Sequence, residues 1–291
     1  MAAPTATFER LLGAVERNLL HCTRTHEART LSDADTATAY HLRSGGQRVR
    51  ARLAIHAGLS LQLAQGDIVA LASCAELLHN ASLIHDDLQD RDMLRHGVAS
   101  VWSAFGDNTA ICAGDLMLAA AYGALGEFSQ AARLPALLKL TLERTARAIG
   151  GQCVDLAGPA RNDMASYEAM AMAKSGALLS LPTELALLAA GRLDALAGAK
   201  RAAESFAVGY QIVDDIDDID IDSEPLKRAR SFNIVLLLQA GGHAGGQAGA
   251  RAAAVRLAQQ HFERAATAAG ALPDASGDLL TALVWRLAQR L

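Results

Sequence analysis

Aromatic residues make up only 4% of this 291-residue chain, and there are just six prolines. Cysteine is as sparse. Cys22, Cys74, Cys112 and Cys153 lie far apart, with no CxxC pair and no paired histidine nearby. That scatter excludes a disulfide framework and a zinc site, and reduced thiols in a cytoplasmic protein are the expectation. Positive charge is not in excess either: 27 basic residues stand against 31 acidic ones, for a net charge of −4. No bulk attraction to nucleic acid follows, and no nucleic-acid partner is expected. Ser231 to Ala250 carries no Asp, Glu, Lys or Arg, but its apolar centre is only Ile234 to Leu238, followed by GGHAGGQAG. Such a stretch is too short and too glycine-rich to cross a bilayer, so no transmembrane segment is expected. The opening MAAPTATFER has neither the basic nor the apolar region of a signal peptide.

Apolar residues are plentiful, at 51% of the chain. That supports a large buried core and excludes a disordered chain. Alanine and leucine dominate over β-branched residues, a bias towards helix. Residues 67–91, 133–149, 184–197 and 199–216 read as helices, and Asp67 after Gly66 reads as an N-cap. Neither alternating strand-like runs bounded by hairpin turns nor a βαβ pattern stands out. The Gly-rich stretch 241–249 lies too near the end to separate two full domains. The expectation is one all-α domain over residues 1–291.

The chemistry concentrates in two acidic clusters. Asp86, Asp87 and Asp90 end an apolar helical segment, LLHNASLIHDDLQDRD. Asp86 and Asp90 fall one turn apart on one helix face, where like charges repel. A divalent cation removes that penalty, and hard oxygen ligands at this density suit Mg²⁺ completed by phosphate oxygens. Asp214, Asp215 and Asp218 repeat the DDxxD spacing in GYQIVDDIDDID, with Asp217 as an added carboxylate. His79 shares the first face and Gln211 the second. Two matched faces suggest two walls of one metal–diphosphate cavity, whereas a solvated acidic helix end is the bland alternative. An EF-hand is excluded, because neither cluster has its Gly and Glu positions.

Cations suited to a diphosphate lie elsewhere. SGGQRVRAR places Arg48, Arg50 and Arg52 after Gly45 and Gly46, with Arg43 just before. Guanidinium groups hold phosphate oxygens through paired hydrogen bonds. Arg95 and His96 precede Gly97, and Lys174 and Ser175 interrupt an apolar stretch.

Taken together, these motifs resemble the all-trans polyprenyl diphosphate synthase family, the head-to-tail prenyltransferases. GGQRVR resembles the family's GGKRxR, ELLHNASLIHDDLQD with RHG its first Asp-rich region, and YQIVDDIDD its FQxxDDxxD. GD at Gly114 and Asp115, GQ at Gly151 and Gln152, and KSG at Lys174 to Gly176 fall between in order. The resemblance implies the all-α isoprenoid synthase fold, a homodimer, and about three Mg²⁺ held by carboxylates and phosphate oxygens. It implies Asp86, Asp90 and Asp214 as metal ligands, supported by Asp87, Asp215 and Asp218. Arg95, Lys174, Ser175 and Gln211 are implied to bind the allylic diphosphate. Gln47, Arg50, His79 and His96 fall where the family binds isopentenyl diphosphate. The implied reaction is ionisation of the allylic C–O bond, attack by the isopentenyl double bond, and loss of a proton to the released pyrophosphate.

This chain departs from the family pattern in several places. The family Lys is Gln47, the second Arg of RRG is His96, and the later Lys-Thr/Ser signature gives way to SFNIVLLL. Lys227 or Arg228 is the candidate substitute for the loop cation. These departures leave open a non-catalytic or modulatory subunit, and a class I terpene cyclase shares the first Asp motif. Ala81 and Ser82 stand where short-product members carry a bulky side chain. Their small size implies a product of geranylgeranyl length or longer, which Ala81→Phe would shorten.

Overall fold

The computed structural model describes residues 2–24, 32–157, 163–219, 232–241 and 246–291. It is helical almost throughout. The helices are α1 (Ala2–Cys22), α2 (Asp33–Arg43), α3 (Val49–Ser60), α4 (Gln65–Asp90), α5 (Val101–Phe105), α6 (Asp107–Leu125), α7 (Leu134–Ala157), α8 (Met164–Ala171), α9 (Ala177–Ala189), α10 (Leu196–Asp217), α11 (Ile234–Ala240), α12 (Gly246–Gly270) and α13 (Asp278–Ala288). Two compact units emerge, Met1–Thr141 with Leu185–Arg192, and Leu142–Glu184 with Leu193–Leu291.

In the first unit α4 is the central helix, packed by α1, α3 and α6. Ile68, Leu71, Leu77 and Ile84 are fully buried along it, each burial stabilising the fold by about 1.5–3 kcal/mol. By length and composition α4 alone, among the described residues, could cross a membrane, but 72% of its most apolar window is buried inside the protein. That is how a core helix behaves. Asp67 is not its N-cap: Ala64 occupies that position, and the Asp67 carboxylate accepts from the Ser129 N–H at 2.8 Å and hydroxyl at 2.9 Å. A distant turn claims the carboxylate the local pattern assigned to capping.

An antiparallel hairpin, β1 (Leu94–Arg95) with β2 (Val98–Ala99), follows α4. Its turn residues His96 and Gly97 both have positive φ, 52° and 82°, the geometry of a tight two-residue hairpin. Strands of two residues are too short to show the alternation by which strands are read.

The second unit is built on α10 and α12, joined by α8, α11 and α13. The helix expected over 184–197 is two helices. Arg192 N–H donates to Leu187 O at 2.8 Å and Gly191 N–H to Leu188 O at 3.0 Å, a terminating pattern that needs a left-handed residue after the helix. Gly191, at φ 78°, supplies it.

Candidate functional site

In the first unit, the basic segment at the start of α3 divides into anchors and one candidate ligand group, Arg50. Arg48 is buried, sits at φ 52°, and donates to Leu42 O and, at 3.2 Å, to Gly45 O. It closes the loop on itself. Arg52 donates to Gln47 O at 3.1 Å and lies 3.8 Å from Glu9 and over the Phe8 ring. Arg50 is different: its Nη1 is 3.1 Å from His79 Nε2 on α4. Burial, then the charge of Arg50, holds His79 well below the usual histidine range. The ring is therefore neutral and Nε2 accepts from Arg50. Gln47 is exposed beside Gly46. A methyl on Gly46 would stand 3.8 Å from His96 Nε2, so the hairpin turn meets the glycine loop.

At the end of α4, Asp86 is half-buried and Asp90 exposed on one face. Asp87 is fully buried and receives Arg95 Nε at 3.0 Å, with a second donation from Nη2. Burial pushes the Asp87 carboxyl up and the Arg95 guanidinium opposes that rise. Asp87 thus orients Arg95 from below. Ser82 shares the Asp86 face, half-buried, and donates to His79 O at 2.8 Å. Ala81 is 3% exposed and packed in the core, whereas Ser82 is only half-buried on the Asp86 face. The glycine of the GD pair has a steric reason: a Cβ on Gly114 would stand 2.1 Å from His85 Nε2. Asp115 lies 3.7 Å from that nitrogen.

In the second unit, Lys174 and Ser175 sit on a π-helical turn, Met172–Gly176, between α8 and α9. Such turns re-aim side chains and recur at functional sites. Gly151 lets α7 touch that turn, since a Cβ there would stand 2.4 Å from the Lys174 backbone nitrogen. Lys174 pairs with Asp155. Ser175 is half-buried on the same turn.

At the end of α10 the first arrangement recurs. Asp215 is buried and accepts from Tyr167 Oη at 2.8 Å, Gln211 Nε2 at 2.9 Å and the Ile234 N–H at 2.7 Å. Asn233 caps α11 and donates to Asp215 O at 2.8 Å. Asp214 is half-buried and Asp218 exposed, while Asp217 turns to Arg290 at 2.8 Å. Burial first, then the charges of Asp215 and Asp218, pushes the Asp214 carboxyl up to about 7. Tyr167, Asp155 and Glu76 were not singled out from the sequence. The available signal was placement alone: Tyr167 two helical turns before Lys174, Asp155 one turn after Gln152, and Glu76 one turn before His79. Lys227 and Arg228 lie outside the described residues.

Among the described residues no three His, Cys, Asp or Glu side chains converge on a ready-made metal site. The donors are nonetheless right for a hard cation. Asp214, crowded by carboxylates that raise its pKa, is stabilised by any cation that joins it. A hard cation held here would need further oxygens from a bound ligand to complete its shell, as Mg²⁺ commonly does.

Residues 33–231 match the polyprenyl synthetase family. The chain is 28% identical over 193 residues to a short chain isoprenyl diphosphate synthase of Methanothermobacter thermautotrophicus, covering 65% of this chain and 59% of that protein. It is 37% identical over 155 residues to a (2E,6E)-farnesyl diphosphate synthase of Mycobacterium tuberculosis, covering 50% and 41%. The chain thus spans 59% and 41% of the length of these two curated relatives. A geranylgeranyl pyrophosphate synthetase from the archaeon Geoglobus acetivorans has the same fold, with a TM-score of 0.81 at 22% identity over 97% of this chain and 99% of that one.

Proposed function

Because this chain belongs to the polyprenyl synthetase family, we propose that it is a head-to-tail prenyltransferase. It condenses isopentenyl diphosphate with an allylic diphosphate to give an all-trans polyprenyl diphosphate of geranylgeranyl length or longer. One observation carries the reading. In both DDxxD motifs the second Asp, Asp87 or Asp215, is buried as an anchor, while the first and last remain accessible. Asp86 with Asp90, and Asp214 with Asp218, are the accessible carboxylates that would meet a metal. A chance acidic helix end has no reason to divide its carboxylates the same way twice.

In this reading Asp86 with Asp90, and Asp214 with Asp218, would hold Mg²⁺, which when bound would offset the charge that develops on a leaving pyrophosphate. Arg95, held by Asp87 in the first unit, and Lys174, held by Asp155 in the second, each offer positive charge to a diphosphate. Gln211 is oriented by Asp215. Arg50 and His79, with His96 near Gly46 and exposed Gln47, receive the isopentenyl diphosphate. Neutral His79 contributes direction rather than charge.

A cytoplasmic homodimer belongs to the same proposal. Leu142, Ile149 and Leu156 stand exposed on α7 at a seven-residue spacing, an apolar stripe suited to a second copy. The deciding experiment is an assay of purified protein with Mg²⁺, labelled isopentenyl diphosphate and allylic primers, with products sorted by length. Elongated diphosphates support the reading. Hydrocarbon products or no turnover refute it.

A further inference from the structure

Helix α3 begins without a cap. Its N-cap residue is Arg48, left-handed and with no side-chain hydrogen bond to the helix start. The first N–H groups of a helix need acceptors, and their aligned dipoles favour a negative charge. Glu76, on α4, supplies both from another element. Glu76 is 2% exposed, and its Oε2 accepts from the Ala51 N–H at 2.9 Å. Ala51 is the third residue of α3, where a local capping side chain would have bonded.

The rest of that carboxylate is engaged as well. Asn80 Nδ2 donates to Glu76 Oε1 at 3.3 Å, and Arg48 Nη1 lies 3.9 Å from it. Asn80 in turn accepts from His41 Nε2 on α2 at 3.1 Å. Burial holds His41 down to about 4, so its ring is a neutral donor. One hydrogen-bonded chain therefore runs from α2 through α4 to the first turn of α3. It brackets the loop that carries Gly45, Gly46 and Gln47. Arg50 leaves the same first turn, and its guanidinium meets His79, which is three residues beyond Glu76 on α4.

We propose that Glu76 is a positioning residue: it caps α3 in place of a local side chain and so sets the glycine loop and Arg50 where an isopentenyl diphosphate would be received. The inference rests on the prenyltransferase reading, which assigns that ligand. Glu76 touches no reacting atom, so its loss acts on acceptor binding and leaves the chemical step alone.

Kinetics of Glu76→Gln test this, with Asp67→Asn as the control. Asp67 is an equally buried α4 carboxylate that holds Ser129 and lies outside the loop. Both variants should lose thermal stability. Only Glu76→Gln should raise the KM for isopentenyl diphosphate, by about tenfold, with kcat and the allylic KM within about twofold of wild type. An isopentenyl KM unmoved in Glu76→Gln, or moved equally by Asp67→Asn, overturns the proposal. Should Glu76→Gln not fold, Asn80→Ala removes one donor to the carboxylate and should raise the same KM about threefold; no rise there overturns it too. Calorimetry with isopentenyl diphosphate separates the two levels. Wild type that neither elongates nor binds defeats the prenyltransferase reading and the inference with it. Wild-type binding that Glu76→Gln leaves unchanged defeats the inference alone.

Discussion

Arg95 Nε donates to Asp87 Oδ1 at 3.0 Å, and Asp87 has no exposed surface. The second carboxylate of the first Asp-rich motif is therefore a foundation for the guanidinium, turned away from the face of Asp86 and Asp90. Asp215 does the equivalent for Gln211 at 2.9 Å.

Removing either partner of the Asp87–Arg95 pair should be costly, but unequally. Arg95→Ala leaves a buried carboxylate unpaired, a loss of about 3–5 kcal/mol for buried pairs. Arg95 retains partial exposure, so Asp87→Ala leaves a cation that water can reach. Urea unfolding should rank Arg95→Ala as less stable than Asp87→Ala. The reverse order would count against Asp87 as the buried anchor.

The accessible carboxylates should behave differently from the buried ones. Asp86→Ala and Asp214→Ala should each lower kcat by orders of magnitude while far-UV circular dichroism and Tm stay near wild type. EDTA should abolish turnover and Mg²⁺ restore it. Near-normal kcat in either variant sinks the metal assignment.

Product length should answer to Ser82 and not to Ala81. Ser82→Phe places a ring on the Asp86 face and should shorten the product by at least one isoprene unit. Ala81→Phe forces a ring into a packed core, which destabilises by about 1–3 kcal/mol. Chromatography of products beside thermal melts distinguishes the two. A Ser82→Phe product of unchanged length shows that another helix sets the limit.

Acid should weaken the fold through His41. Burial lowers it from its usual 6.5 to about 4, so between those values the unfolded chain binds a proton that the folded chain does not. Stability from this group is full above pH 6.5 and falls as pH drops towards 4. The loss is at most about 1.4 kcal/mol per pH unit. Urea midpoints at pH 7.5 and 5.0 should differ less in His41→Gln than in wild type. An identical pH dependence in the variant removes His41 from the account.

A permanent cation in the acceptor region should tighten isopentenyl diphosphate binding. His96→Arg places it at the hairpin turn, and Gln47→Lys on the exposed loop, each lowering that KM more than the allylic one. A KM unchanged or raised in both would show that the region receives its diphosphate by other groups.

The sequence by itself determined the helical class, the two DDxxD repeats and the basic glycine loop. Helix bias and one-face spacing are local properties, written in residues three and four apart. Which carboxylate of each repeat is buried was decided only by tertiary structure, because Asp87 and Asp215 are claimed by Arg95, Tyr167 and Ile234, partners beyond any helical period. The same is true of Arg48, which looked like a ligand cation but closes its own loop on Leu42 and Gly45. Asp67 looked like a cap but holds Ser129, while the real cap of α3 arrives from Glu76 on another helix. A buried polar group must find a partner wherever the fold brings one, and spacing along the chain carries no record of that choice.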